Sequence, residues 1–142
     1  MKKTAAQIIG ILVSCIMLKG AEPHQYIINL NLSDGIPNIN ISGICQDSFN
    51  RIWIGTKRGV YYYTGYGFIA LQNKDYISTC SSNTSMIAID DSNCLWIFTD
   101  KGSGYYDIRD GVFTSIPQLM EIHVTDVDFD MNGDAWITSS EG

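Results

Sequence analysis

The stretch DSFNRIWIGTKRG, from Asp47 to Gly59, joins an acid, a short polar turn and an apolar segment that contains a tryptophan. Ser48–Asn50 has turn chemistry, because asparagine tolerates the left-handed backbone region. Ile52–Thr56 is rich in β-branched and aromatic residues and favours a strand. Glycine at position 59 permits a tight turn into the next segment. The stretch therefore predicts strands joined by short turns.

The same pattern recurs around Trp96 and Trp136, which follow Trp53 at spacings of 43 and 40 residues. Each tryptophan has an aspartate six residues before it, a turn residue three before it, a hydroxyl residue three after it and a glycine six after it. These columns are Asp47, Asp90 and Asp130; Asn50, Asn93 and Gly133; Thr56, Thr99 and Ser139; and Gly59, Gly102 and Gly142. We interpret the aspartate, tryptophan and glycine columns as architecture of an internal repeat.

Each repeat predicts four short strands. In the first copy they are 41–47, 52–56, 60–63 and 67–71, and in the second 85–90, 95–99, 103–107 and 112–116. Four antiparallel strands every 40 or so residues are typical of a propeller blade. We predict an all-β, partial β-propeller of about two and a half blades: blade 1 at about 39–71, blade 2 at about 84–116 and partial blade 3 at about 124–142. No helical periodicity is expected outside the N-terminal signal.

The first 21 residues predict a secretory signal peptide. Lys2 and Lys3 precede an apolar stretch, Ile8–Leu18, and cleavage is expected near Gly20 or Ala21. The apolar stretch is shorter than the roughly 20 residues that span a bilayer. Lipidation at Cys15, within a sequence that resembles a lipobox, is the alternative. Residues 22–142 would then form the incomplete propeller in the periplasm.

The charge and the cysteines narrow the function. The chain has a net charge of −6, and three of its nine Lys and Arg residues lie in the signal, so the mature part is more acidic still. An acidic surface repels phosphate backbones, which argues against nucleic-acid binding. Cys45, Cys80 and Cys94 remain; a Cys45–Cys94 disulfide and three unpaired thiols are both open. No cysteine or histidine spacing indicates zinc, and no cofactor is expected.

The run SDGIPNINISGICQDSFNRIWIGTKRGVYYYTGYGF (Ser33–Phe68) closely resembles the two-component regulator propeller repeat, which reads roughly GLPxxxVxxIxxDxxGxLWIGTxxGLxxYxG. The matching positions are Gly35, Ile36, Pro37, Ile41, Ile44, Asp47, Trp53, Ile54, Gly55, Thr56, Gly59, Val60, Tyr63 and Gly65. Asn50 departs from the usual glycine, and Phe98 stands where the first copy has Gly55. The resemblance extends over residues 26–142, with weaker upstream matches in the second and third copies.

The resemblance implies the periplasmic sensor region of a hybrid two-component histidine kinase, with an oligosaccharide as the expected ligand and a homodimer as the expected assembly. Fewer than three repeats fit, whereas a closed propeller needs about 4–8 blades. We therefore expect a fragment or truncated product whose remaining blades are elsewhere, with Tyr26–Leu32 as the strand that closes the last blade. The alternative is a freestanding exported propeller that serves as an interaction or carbohydrate-binding scaffold.

Sharper site hypotheses have weaker support. Asp128–Asp134 contains D-x-D-x-N-G, the front of an EF-hand loop, but the twelfth position is Ser139 rather than glutamate. Tyrosines could stack on sugar rings, although most are expected to pack within blades; they are Tyr61, Tyr62, Tyr63, Tyr66, Tyr105 and Tyr106. His24 and His123 are interpreted as surface or linker residues. Asp90–Asp91 does not form the paired acids of a glycosidase, and no catalytic motif is present.

Overall fold

The computed structural model describes residue 35 and residues 40–80 and 82–140. The predicted signal peptide, the predicted closing strand Tyr26–Leu32 and Gly142 lie outside the described residues. Ten strands, one short α-helix and one 3₁₀-helix fill the described part of the chain.

The strands form three antiparallel sheets. The first is β1 (Ile41–Gln46), β2 (Ile52–Thr56), β3 (Gly59–Tyr63) and β4 (Phe68–Ala70); the second is β5 (Thr84–Ile89), β6 (Cys94–Thr99), β7 (Ser103–Asp107) and β8 (Val112–Ser115). The third contains β9 (Val124–Phe129) and β10 (Ala135–Ser139). Strands follow one another in sequence order within each four-stranded sheet. The prediction of an all-β partial propeller is confirmed, and the predicted strand limits agree within about a residue.

The first turn of each repeat has the backbone that its turn residue favours. Asn50 and Asn93 have φ of 64° and 65°, and Gly133 has φ of 84°. Asparagine is among the few side chains that enter this region at low cost, and glycine enters it freely. The turn-residue column of the repeat therefore encodes the same left-handed turn in all three copies.

The sheets stack through their first strands, since β1 lies beside β5 and β5 lies beside β9. Each sheet thus has its first strand innermost. One core fills the space between the first two sheets: Trp53, Val60, Leu71, Tyr76, Cys80, Ile87, Leu95, Ile97, Ile108 and Phe113. A second, smaller core around Phe98, Val124 and Val127 fills the space between the second and third sheets.

Glycines decide how closely the first two sheets approach. A Cβ atom on Gly55 would lie 2.9 Å from the Ser42 hydroxyl and 3.0 Å from a methyl carbon of Thr84. The equivalent residue of the second sheet is Phe98, which is fully buried against the third sheet. The first and second sheets therefore approach closely at Gly55, whereas the ring of Phe98 fills the space between the second and third sheets. This explains the departure at Phe98 in the repeat.

One short α-helix forms, although the sequence outside the N-terminal signal shows no helical periodicity. Helix α1 (Lys74–Cys80) connects the first two sheets, and a 3₁₀-helix (Pro117–Leu119) precedes the third. The side-chain oxygen of Asn73 accepts hydrogen bonds from the backbone amides of Asp75 and Tyr76, both at 3.0 Å. This is N-capping, and the helix is too short to show a periodic pattern.

Cys45, Cys80 and Cys94 are free thiols in this structure. Of the two alternatives left open by the sequence, the structure has unpaired thiols rather than a Cys45–Cys94 disulfide. Burial raises the pKa of Cys45 to about 12 and that of Cys80 to about 11. Both thiols stay protonated at neutral pH and behave as small apolar side chains. Among the described helices, none is long and apolar enough to cross a membrane.

Candidate functional site

Each repeat aspartate binds both its own turn and its own tryptophan. Asp47 Oδ1 accepts hydrogen bonds from the amides of Phe49 and Arg51, both at 2.9 Å, and Asp47 Oδ2 accepts one from the Trp53 indole at 2.9 Å. The indole nitrogens of Trp96 and Trp136 donate to Asp90 and Asp130 at 2.8 Å and 3.2 Å. One carboxylate thus ties the turn to the strand that follows it.

Arg51 completes this arrangement in the first sheet. Its Nε donates to Asp47 Oδ2 at 2.7 Å, and its guanidinium lies over the rings of Phe49, Trp53 and Tyr62. Burial disfavours the charged carboxylate of Asp47, but hydrogen bonds from Trp53 and Arg51 and the charge of Arg51 outweigh it and lower its pKa. The pKa of Asp130 is also lowered, by hydrogen bonds from Trp136, Asn132 and Asp134.

The three tryptophans differ in what covers them. Trp53 is 1% exposed and packs against Tyr62 and against Tyr106 of the second sheet. Trp96 packs against Phe129 of the third sheet at 5.5 Å between ring centroids. Trp136 is 68% exposed. Each of the first two indoles is therefore covered by the next sheet along the chain.

In the first two repeats, the hydroxyl column meets the glycine column in the second turn. Gly59 has φ of 108°, and the hydroxyl of Thr56 donates to its carbonyl at 2.9 Å. Thr99 makes the same contact with Gly102 at 2.8 Å. These contacts shape the turn between the second and third strands of each of these two sheets.

The principal cavity lies where the three innermost strands begin. Its volume is about 440 Å³, within the range of small-molecule sites. Nine of its lining residues are the first two residues of each innermost strand and the residue that precedes them: Asn40, Ile41 and Ser42; Asn83, Thr84 and Ser85; and His123, Val124 and Thr125. Lys57, from the β2–β3 turn, completes the lining. Because every lining triplet lies 13, 12 and 11 residues before a tryptophan, the cavity has the symmetry of the repeat.

A β-bulge occurs at the cavity in all three sheets. The pairing of β1 with β2 skips Ser42, that of β5 with β6 skips Ser85, and that of β9 with β10 skips Thr125. A bulge leaves one residue unpaired and redirects its side chain, and bulges are over-represented beside binding sites. The backbone irregularity therefore falls on a hydroxyl residue of the lining in each copy.

A smaller cavity of about 160 Å³ lies beside the first and shares His123 with it. Asp100 and Glu121 supply carboxylates to its lining, together with Thr99 and Ile122. Asp100 occupies the position that Lys57 has in the first repeat, and its carboxylate accepts a hydrogen bond from Ser82 at 2.5 Å. At this position of the second turn, Lys57 gives the first cavity a positive charge and Asp100 gives the smaller cavity a negative charge.

Sequence reasoning missed these residues. His123 is exposed in the connection before β9, in agreement with its interpretation as a surface or linker residue, and it also lines both cavities. The signal was present in the polar columns 13 and 11 residues before each tryptophan, at the start of the first strand of each repeat. These columns are Asn40, Asn83 and His123, and Ser42, Ser85 and Thr125.

The structure gives the other candidates structural partners. Asp130 Oδ1 accepts hydrogen bonds from the amides of Asn132 and Asp134, so the EF-hand-like segment is the repeat turn. No group of three or more His, Cys, Asp or Glu side chains suited to a metal occurs among the described residues. Tyr62, Tyr105 and Tyr106 pack on tryptophans, whereas Tyr66 is 97% exposed.

The comparison with protein families agrees with the repeat analysis. Residues 35–58 match the two component regulator propeller family. The resemblance inferred from Asp47–Gly59 and its flanks is confirmed for this stretch, which contains the first turn, the buried tryptophan and Lys57 of the cavity. The chain matches no curated protein.

A solved structure shows the same fold. The extracellular domain of a putative hybrid two component system from B. thetaiotaomicron superimposes with a TM-score of 0.63 at 20% sequence identity. The match covers 78% of this chain and 17% of that chain. This chain is therefore similar in fold to a small part of a much longer extracellular domain.

Proposed function

We propose that this chain is the N-terminal part of an exported propeller that senses a small ligand, with an oligosaccharide as the ligand class, and controls a downstream histidine kinase. The observation that carries the proposal is the bulged, polar cavity built from equivalent residues of three repeats. The two component regulator propeller match at residues 35–58 supports the signalling context.

The geometry suits a sensor because the cavity is shared between sheets. A ligand that contacts Asn40, Asn83 and His123 touches three blades at once. Such a ligand stabilises the arrangement of blades that best fits it, and a change in blade arrangement can shift the population of states in an attached kinase. Hydroxyl, amide and imidazole groups offer the donors and acceptors that a polyhydroxylated ligand requires.

The decisive experiment uses the complete gene product. We expect the reading frame to continue past codon 142 into further blades, a membrane-spanning helix and a kinase. In membrane vesicles, glycan fragments applied to the exported side should change kinase autophosphorylation. His123→Ala should weaken that response, whereas Asp91→Ala, in an exposed turn, should not.

Two results would contradict the proposal: a frame that ends without a kinase, or autophosphorylation that no member of a broad glycan panel alters. The first would favour the exported scaffold instead. The glycans of that panel should also be tested for cleavage, since release of product would indicate an enzyme.

Export has its own test. Mass spectrometry of the protein recovered from the periplasm should show an N-terminus at Ala21 or Glu22. An acylated N-terminus at Cys15 would establish lipidation, and a protein that retains residues 1–21 in the cytoplasm would refute export.

A further inference from the structure

The main cavity has a charge unlike that of the chain as a whole. The chain has a net charge of −6, yet no carboxylate is present among the described residues that line this cavity. Lys57 supplies one formal positive charge to the lining, and among the described carboxylates none forms an ion pair with it. Asp100 and Glu121 line the smaller cavity, which shares His123 with this one.

The hydroxyl groups of the lining are oriented by the sheets. The Ser85 hydroxyl donates to the carbonyl of Phe98 at 3.2 Å, and the hydroxyls of Thr125 and Thr138 lie 2.9 Å apart. A hydroxyl that donates to the protein keeps its lone pairs for a donor on a ligand. The bulged Ser85 thus keeps its lone pairs available, and the bulged hydroxyl residues Ser42 and Thr125 line the same cavity as Lys57.

The turn that carries Lys57 is held in place by the strands around it. Thr56 bonds the carbonyl of Gly59, and the amide of Arg58 donates to the Thr56 hydroxyl at 3.0 Å. In the second and third sheets, the corresponding turn also bonds the start of the innermost strand, through Asp100 to Asn83 and through Ser140 to His123. The backbone at Lys57 is therefore held at the cavity, and the flexible lysine stem carries the ammonium from that point.

We propose that this cavity binds an acidic saccharide, with Lys57 beside its carboxylate and the bulge hydroxyls and His123 beside its ring hydroxyls. The inference rests on the proposed function and adds the charge of the ligand to it. An ammonium–carboxylate contact at an exposed site is worth about two- to fivefold in affinity at low salt and less at high salt.

The test measures binding and its location together, on the whole exported chain. Equilibrium dialysis compares glucuronate with glucose and galacturonate with galactose. Diethylpyrocarbonate modification followed by peptide mapping then reports on the chain's two histidines, His123 in the cavity and His24 as an internal control. We expect the uronates to be retained over the neutral sugars and to protect His123 but not His24.

Substitutions assign the charge. Lys57→Gln should weaken uronate binding about two- to fivefold at low salt, Lys57→Arg should retain it, and Lys101→Gln should have no effect, because Lys101 lies in the matching turn of the second sheet but outside the cavity lining. Equal retention of neutral and acidic sugars, or a Lys57→Gln variant that binds like the parent, would overturn the acidic assignment while leaving saccharide sensing intact. Uronate binding without protection of His123 would place the site elsewhere, and absence of any uronate binding would also refute the inference; the kinase assay judges the proposed function separately.

Discussion

Asp47 shows how one side chain can make a repeat recognisable. Its carboxylate is buried, yet it stays charged because amides, an indole and a guanidinium donate to it. Six residues separate the aspartate from the tryptophan. This length makes one tight turn, after which the next strand brings the indole back beside the carboxylate. The sequence predicted a structural role for this aspartate, and the bond to the indole became visible only in the structure.

Asp47→Asn should lower the free energy of unfolding by about 1–3 kcal/mol at pH 7, because an amide nitrogen would then face a buried donor. The folded-state pKa of Asp47 is below its ordinary value of 3.8. Its stabilising effect is therefore complete above that value and is lost as the pH falls through the lower, folded-state pKa. Urea unfolding followed by tryptophan fluorescence from pH 7 to pH 3 should show the difference between parent and variant narrowing at low pH.

The control for this substitution is Asp91→Asn, which changes an exposed carboxylate in the second repeat. It should leave the unfolding curve within about 0.5 kcal/mol of the parent. A Asp47→Asn protein that is as stable as the parent at pH 7 would contradict the role assigned to the buried carboxylate.

At the scale of the element, the space between sheets depends on which residue each β2-type strand presents. Gly55 lets the second sheet approach closely, while Phe98 fills a wider space toward the third. Comparison of the repeat copies showed that Phe98 replaces Gly55. It did not show why, because the reason depends on the neighbouring sheet that each residue faces. Only the stacking of the sheets shows that Gly55 is needed for their close approach.

Gly55→Ala should destabilise the fold by about 1–3 kcal/mol through overpacking. The added Cβ would lie 3.0 Å from the Thr84 methyl and 3.2 Å from a side-chain carbon of Ile87. Thr84→Ser removes the first contact, so the double variant Gly55→Ala/Thr84→Ser should recover part of the loss in thermal unfolding. Additive effects of the two substitutions would show that the steric account is wrong.

Helix α1 belongs to the same scale, because it supplies a partner that β3 cannot find in its own sheet. The Val60 amide donates to the Tyr76 hydroxyl at 3.0 Å, and the Tyr76 ring packs against Phe113. Burial also raises the pKa of Tyr76 to about 12, so the phenol stays protonated at neutral pH.

Tyr76→Phe should cost about 1–3 kcal/mol, since it leaves the buried Val60 amide without its acceptor. Chemical denaturation should detect this loss, and amide hydrogen exchange should become faster at Val60. Tyr66→Phe is the matched control because Tyr66 is almost fully exposed, and it should have no measurable effect. Unchanged exchange at Val60 in Tyr76→Phe would contradict the assigned bond.

At the scale of the molecule, the described sheets form an open stack rather than a closed ring. β10 pairs with β9 alone among the described strands, and Trp136 is exposed where Trp53 and Trp96 are covered by a following sheet. An exposed strand edge beside an exposed indole favours pairing with another chain.

The isolated segment from residue 21 to residue 142 should therefore self-associate, as sedimentation velocity over a range of concentrations would show. Trp136→Lys should shift it toward the monomer by placing a charge on the open face. Met131→Lys, a change at another fully exposed apolar residue in a turn, should not. A parent segment that sediments as a monomer at every concentration and melts cooperatively would refute this prediction.

The amino-acid sequence by itself determined the strands, their turns and the propeller class, because these depend on residues close together in the chain and recur three times. Asn50, Asn93 and Gly133 predict their turns without knowledge of the rest of the fold. Tertiary structure alone decided the capped helix, the spacing of the sheets and the cavity. Asn40, Asn83 and His123 are about 40 residues apart in sequence and meet only when three strands stack, so no local pattern could show that they line one site.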